Sequence, residues 1–113
     1  MIPTIDVGKD FYHRLANRDN KQGDGKYTAV EFRKKYLADL NNEGAWKTND
    51  LFIEFDFSNV KRIGPSFANE AFGYFTQYAR PEVILQRIKF KHISEVQLMI
   101  IKEELEVGYY NRK

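Results

Sequence analysis

Apolar and polar positions alternate most cleanly in Leu51–Phe57, where Leu51, Ile53, Phe55 and Phe57 point one way and Phe52, Glu54 and Asp56 the other. A period of two with one apolar face predicts a half-buried strand. Arg87–Ile93 repeats the pattern, with Ile88, Phe90 and His92 set against Arg87, Lys89 and Lys91. Glu54 and Asp56 then face Lys89 and Lys91 across neighbouring strands. Between the two strands the period changes. Phe67, Ala68, Ala71, Phe72, Phe75 and Tyr78 form the stripe of a helix predicted over Pro65–Ala79, ended by Arg80-Pro81. Strand, helix and strand of this length favour a parallel crossover. Pro81–Gln86 adds a short helical turn.

The flanks are read from caps and breakers. Thr28–Leu40 is predicted helical, with Thr28 as N-cap and Glu31 three residues on. Ser94 and Gln97 form a second capping box, opening a helix that runs to Val107 and stops at Gly108. Leu98–Ile101 is apolar nearly all round, a patch for the core or for a partner. Ile2–Val7 reads as a first strand, with Phe11–Ala16 a second strand paired to it. Asn17–Lys26 reads as a loop. Within it, Asp19–Asp24 fails as a calcium loop, because Lys21 and Gly23 stand where oxygen side chains are needed. Asn41–Asp50 is a connector.

Composition narrows the chemistry. The 113 residues suit a single domain, 1–113, and carry a net charge of +2, too balanced to suggest nucleic acid. There is no cysteine, so disulfides, thiolate nucleophiles and Cys-based zinc sites are absent. No apolar run reaches membrane-spanning length and no signal-peptide core is visible, which leads us to expect a cytoplasmic protein. The two histidines, His13 and His92, show no metal-ligand spacing, and no nucleophile elbow or phosphate loop is found. His92 reads as a core or edge histidine, and Arg33-Lys34-Lys35 as a solvated basic face. We therefore expect no catalytic residue, metal or cofactor. The paired acids Glu54 and Asp56 leave open a small-ligand sensor or enzyme.

Gly64-Pro65-Ser66 opens the central helix. Proline is pre-shaped for the first helical position, and the positive end of the helix favours an anion there. A phosphate on Ser66 would be stabilised at that end and would add about two negative charges. The plainer reading is that Ser66 caps its own helix. Asn69 and Glu70, one turn on, are candidates for a polar rim that a partner reads.

The segment IEFDFSNVKRIGPSFANEAFG resembles a STAS-like family of unknown function, through Asp56-Phe57 and through Pro65 to Gly73, departing at Asn69 where the family has an acid. The resemblance implies an α/β, STAS-like fold: a mixed four- to five-stranded sheet with helices packed mainly on one face. It also implies a non-enzymatic, protein-binding signalling module. The wider superfamily includes bacterial anti-sigma-factor antagonists, phosphorylated on a serine at the start of the equivalent helix by a histidine-kinase-like ATPase. That serine falls on Ser66. Gly64 replaces the acid before it. Phe67 replaces the small glycine after it, and its ring either obstructs a partner or turns into the core. The expected partner surface is Gly64, Pro65, Ser66, Asn69 and Glu70, and the expected partner is such an ATPase, with no nucleic acid and no membrane. The alternative is a constitutive scaffold or homodimer without phosphorylation, using the Leu98–Ile101 patch and Tyr109-Tyr110.

Overall fold

A computed structural model describes residues 2–19 and 25–109. The chain runs β1 (Thr4–Asp6), α1 (Val7–Asp10), β2 (Arg14–Leu15), α2 (Ala29–Tyr36), β3 (Ile53–Asp56), β4 (Arg62–Ile63), α3 (Pro65–Ala71), α4 (Pro81–Arg87), β5 (Ile88–Lys91) and α5 (Glu95–Val107). Short 3-10 turns lie at Ala38–Leu40, Glu43–Trp46 and Gly73–Gln77.

The strands form two sheets, not the expected mixed four- to five-stranded one. β1, β3 and β5 make a parallel sheet with β3 in the centre, and β2 and β4 make a separate parallel pair. The reason lies just after β1. Asp6 caps α1, its carboxylate accepting from the Lys9 N–H at 3.1 Å, so the chain turns away instead of folding back as a hairpin. The segment Phe11–Ala16 therefore supplies a strand that meets Arg62–Ile63 and not β1. The expected register of the main sheet is found, with Glu54 beside Lys89 and Asp56 beside Lys91. The carboxylates bond elsewhere, however: Glu54 accepts from Thr4 Oγ1, and Asp56 from the Ser58 N–H.

The alternation of β3 is what builds the core. Ile53, Phe55 and Phe57 are buried, with Phe55 packed on α2 and the end of α3 and Phe57 edge-on to Phe90 of β5. Phe55 lies 5.0 Å from Phe32 and 6.0 Å from Phe72, and Phe32 meets Phe67 edge-on at 5.5 Å. Each such ring contributes roughly 1.5–3 kcal/mol by burial, and each edge-to-face pair about 0.5–1.5 kcal/mol more.

The helices match their sequence signals at the caps and depart from them at the ends. Thr28 Oγ1 accepts from the Glu31 N–H, and Ser94 and Gln97 form the full reciprocal box. Gly108 ends α5 at φ 85°, a conformation glycine adopts without strain. The helix expected over Pro65–Ala79 breaks at Phe72 and tightens into a 3-10 turn. Gly73 sits so close to Asn69 and α5 that a Cβ there would lie 3.1 Å from Asn69 Nδ2 and 3.2 Å from the Glu104 carbonyl.

The helix expected over Thr28–Leu40 stops at Tyr36 in the same way. Arg87, expected on the outer face of a strand, is instead the buried last residue of α4. It donates to the carbonyls of Asp50, Ala45 and Thr48 and lies over the Trp46 ring, which pins the connector Asn41–Asp50. His92 is not on an apolar face. It follows β5 at φ 55°, exposed, with Nδ1 3.1 Å from Asp56. No helix among the described residues is long and apolar enough to cross a membrane. Most of the Asp19–Asp24 segment and Tyr110 lie outside the described residues.

Candidate functional site

The site builds from the first turn of α3. Gly64, in extended conformation, is the N-cap; its N–H donates to the Leu15 carbonyl at 2.8 Å, which ties the start of α3 to β2. Pro65 is the first helical residue and Ser66 the second. No side chain caps this turn, so Ser66 is not the cap of its own helix. The other five residues of α3 are buried, leaving Pro65 and Ser66 as its exposed pair. Phe67 is fully buried, its ring among Phe11 and Phe32, so it leaves the approach to Ser66 open.

Asn69 and Glu70 are not a surface rim. They are 1% and 6% exposed. Asn69 lies on the α5 side of α3, where its Nδ2 donates to the Gly108 carbonyl at 2.8 Å. Glu70 holds two arginines. Its Oε1 meets Arg18 at 3.1 Å and its Oε2 meets Arg33 at 2.5 Å. Arg18 also donates to Asn69 Oδ1, and Arg33 Nε donates to the Glu70 carbonyl. The Arg33 guanidinium lies 3.6 Å from the centre of the Tyr74 ring. Next to this assembly Tyr109 packs edge-on against Tyr74, and burial, with the Glu70 carboxylate nearby, raises its hydroxyl above the usual tyrosine range. Among the described residues no buried side-chain polar atom lacks a hydrogen-bond partner.

The polar members of α3 therefore divide by role. Ser66 faces outward. Asn69 and Glu70 fasten α3 to α2, to the Arg18 segment and to the end of α5, which holds the outward turn in place. Arg33 is a correction: the basic run Arg33-Lys34-Lys35 is not wholly a solvated face, because Arg33 is buried while the two lysines are exposed.

Upstream of Ser66 the surface is basic. Arg14 and Arg62 are register partners in the β2–β4 pair and both are exposed, while their neighbours Leu15 and Ile63 are buried. Lys61 donates its N–H to the His13 carbonyl at 2.7 Å, one position earlier in the same ladder. Sequence reasoning missed this pair, since a two-residue strand shows no periodicity. On the other sheet, the carboxyl of Asp56 is held down to about 2 by the Ser58 N–H and side chain and by His92. That is the signature of a local hydrogen-bonded turn. Among the described residues no group of His, Asp and Glu is arranged to hold a metal.

Compared with known proteins, residues 28–98 match the sequence model of a STAS-like domain of unknown function (DUF4325). This span runs from the cap of α2 to the first turn of α5. No curated protein matches the chain, and no solved structure matches it.

Proposed function

Because the chain belongs to this family of STAS-like domains of unknown function, we propose that it is a non-enzymatic protein-binding module of a bacterial, cytoplasmic partner-switching system. It docks a histidine-kinase-like ATPase through Gly64, Pro65 and Ser66, and phosphorylation of Ser66 releases the partner. The observation that carries this reading is the exposure of Ser66 on a helix whose remaining residues, Pro65 apart, are all turned inward. A phosphate there changes the docking surface by about two charges without disturbing the core. The buried Phe67 supports it, since the bulkiest departure from the antagonist pattern takes no part in the surface.

The test is affinity capture from native lysate with the wild-type protein, Ser66→Ala and Ser66→Asp, followed by incubation of the captured ATPase with ATP and phosphopeptide mapping. Capture by wild type and Ser66→Ala, loss with Ser66→Asp, and phosphate on Ser66 support the switch. Equal capture by all three, or an unmodified Ser66, overturns it.

A second reading is favoured by α5. Val96, Met99 and Val107 are exposed on its outer face, which would suit a constitutive scaffold or a homodimer. A monomer at all concentrations in sedimentation would count against the homodimer.

A further inference from the structure

The register that buries Leu15 beside Ile63 also sets Arg14 beside Arg62. Parallel register puts the Arg14 and Arg62 side chains on the same side of a two-strand ladder, about 5 Å apart at the backbone. Like charges directly opposite each other destabilise a sheet by a few tenths of a kcal/mol or more. Among the described residues neither guanidinium has an acidic partner; the ion pairs present go to Glu70 and Asp56. Two exposed arginines on neighbouring strands offer planar, bidentate donors suited to carboxylates or phosphates.

The pair lies between the start of α3 and the far end of the β2–β4 ladder. Towards α3, Arg62 precedes Ser66 by four residues and Gly64 is bonded to β2. Away from it, Lys61 and His13 continue the ladder, and His13 lies tilted against Tyr12, which stacks on Tyr27 at 4.2 Å.

From this we infer that the strip formed by Arg14 and Arg62 receives an acidic segment of a protein partner. This rests on the reading that the partner docks beside Ser66, and it explains the sign of the switch. A phosphate on Ser66 adds negative charge at the edge of a surface that attracts a negative partner, and it competes for the same guanidinium groups.

On the reading that the partner beside Ser66 is a protein, nucleic acid and bilayer are the alternatives that the test separates. Single-stranded nucleic acid needs open aromatic faces for base stacking, and one face of Tyr12 is taken by Tyr27.

The experiment is an amide NMR titration of the full chain with a synthetic peptide of alternating Asp and Glu, beside oligo-dT and phosphatidylglycerol vesicles of matched charge. The expected result is peptide-induced shifts at Arg14, Arg62 and Ser66, weakened about ten-fold in R14E/R62E or R14Q/R62Q, and weakened by raising salt from about 50 to about 300 mM. Stronger binding of oligo-dT or of vesicles at these residues, or no peptide shift there, overturns the inference. Its failure is separable from that of the switch. If R14E/R62E loses the peptide while Ser66→Asp binds it as wild type does, the acidic partner stands and the switch falls. If the strip ignores the peptide while Ser66→Asp still releases the captured ATPase, the switch stands and the acidic partner falls.

Discussion

Removing the Glu70 carboxylate should unbalance the interior more than any other single change of comparable size. Glu70→Ala strands Arg33, which is 9% exposed and has its charge answered by Glu70 Oε2. A buried charge left without its counter-ion costs about 3–5 kcal/mol. At about 4 °C per kcal/mol for a domain of this size, the melting temperature falls by roughly 12–20 °C.

The geometry also predicts an order. Arg33→Met should cost less, because Glu70 keeps Arg18, while the lost contact on Tyr74 is partly replaced by the methionine. Arg18→Ala should cost no more than about 1 kcal/mol, since Arg18 is the more exposed partner. The double variant Arg33→Met/Glu70→Leu should return close to wild type, as well-packed apolar residues often replace a buried pair without loss. Urea unfolding at constant m-value reads all four, and Glu70→Leu alone closes a double-mutant cycle with Arg33→Met. If Glu70→Ala costs less than about 1 kcal/mol, or no more than Arg18→Ala, the argument that Glu70 neutralises Arg33 is wrong.

Three further outcomes follow from single contacts. Arg87→Met leaves the carbonyls of Ala45, Thr48 and Asp50 without their shared donor; it should cost about 2 kcal/mol and shift the fluorescence of Trp46 to the red. Gly8→Ala would place a Cβ 2.0 Å from the Asn59 carbonyl oxygen, so it should destabilise by about 1–3 kcal/mol or more, measured by thermal melting. The Asp56 carboxyl, lowered from 3.8 to about 2, contributes stability that is complete above its unfolded value and is lost as pH falls through the folded one. Asp56→Asn should therefore flatten the stability curve between about pH 4 and about pH 2, and an unchanged acid limb would refute the assignment.

Legibility in the sequence followed the length of the repeating pattern. Ile53–Phe57 alternates over enough residues to give its inward face, and the boxes at Thr28 and Ser94 fix helix starts through short-range hydrogen bonds. β2 and β4 are two residues each, so their pairing depends on a turn at Asp6 that no periodicity announces. Ser66 was legible as a helix-start serine, but its exposure depended on the rest of α3 turning inward. Asn69 and Glu70 were misread because polarity was equated with surface, when their partners lie far away in sequence. Arg33 was legible in principle. At about 100° per residue it falls between Phe32 and Leu37 on the buried arc of α2, while Lys34 and Lys35 fall outside it. His92, with its left-handed backbone, gave no signal.

The strand pairings carry a consequence for how the molecule assembles. Thr4 pairs with Glu54 and Arg14 with Arg62, about fifty positions along, and Ile53 pairs with Ile88, about thirty-five along. Among the described strands none lies beside its chain neighbour, so neither sheet can start from a hairpin and zip outward. High contact order of this kind slows folding, because long loops must close before any pairing rewards them. During synthesis the first two strands must wait, unpaired, for segments made much later. The helices, whose bonds are local, are the parts that can form while they wait.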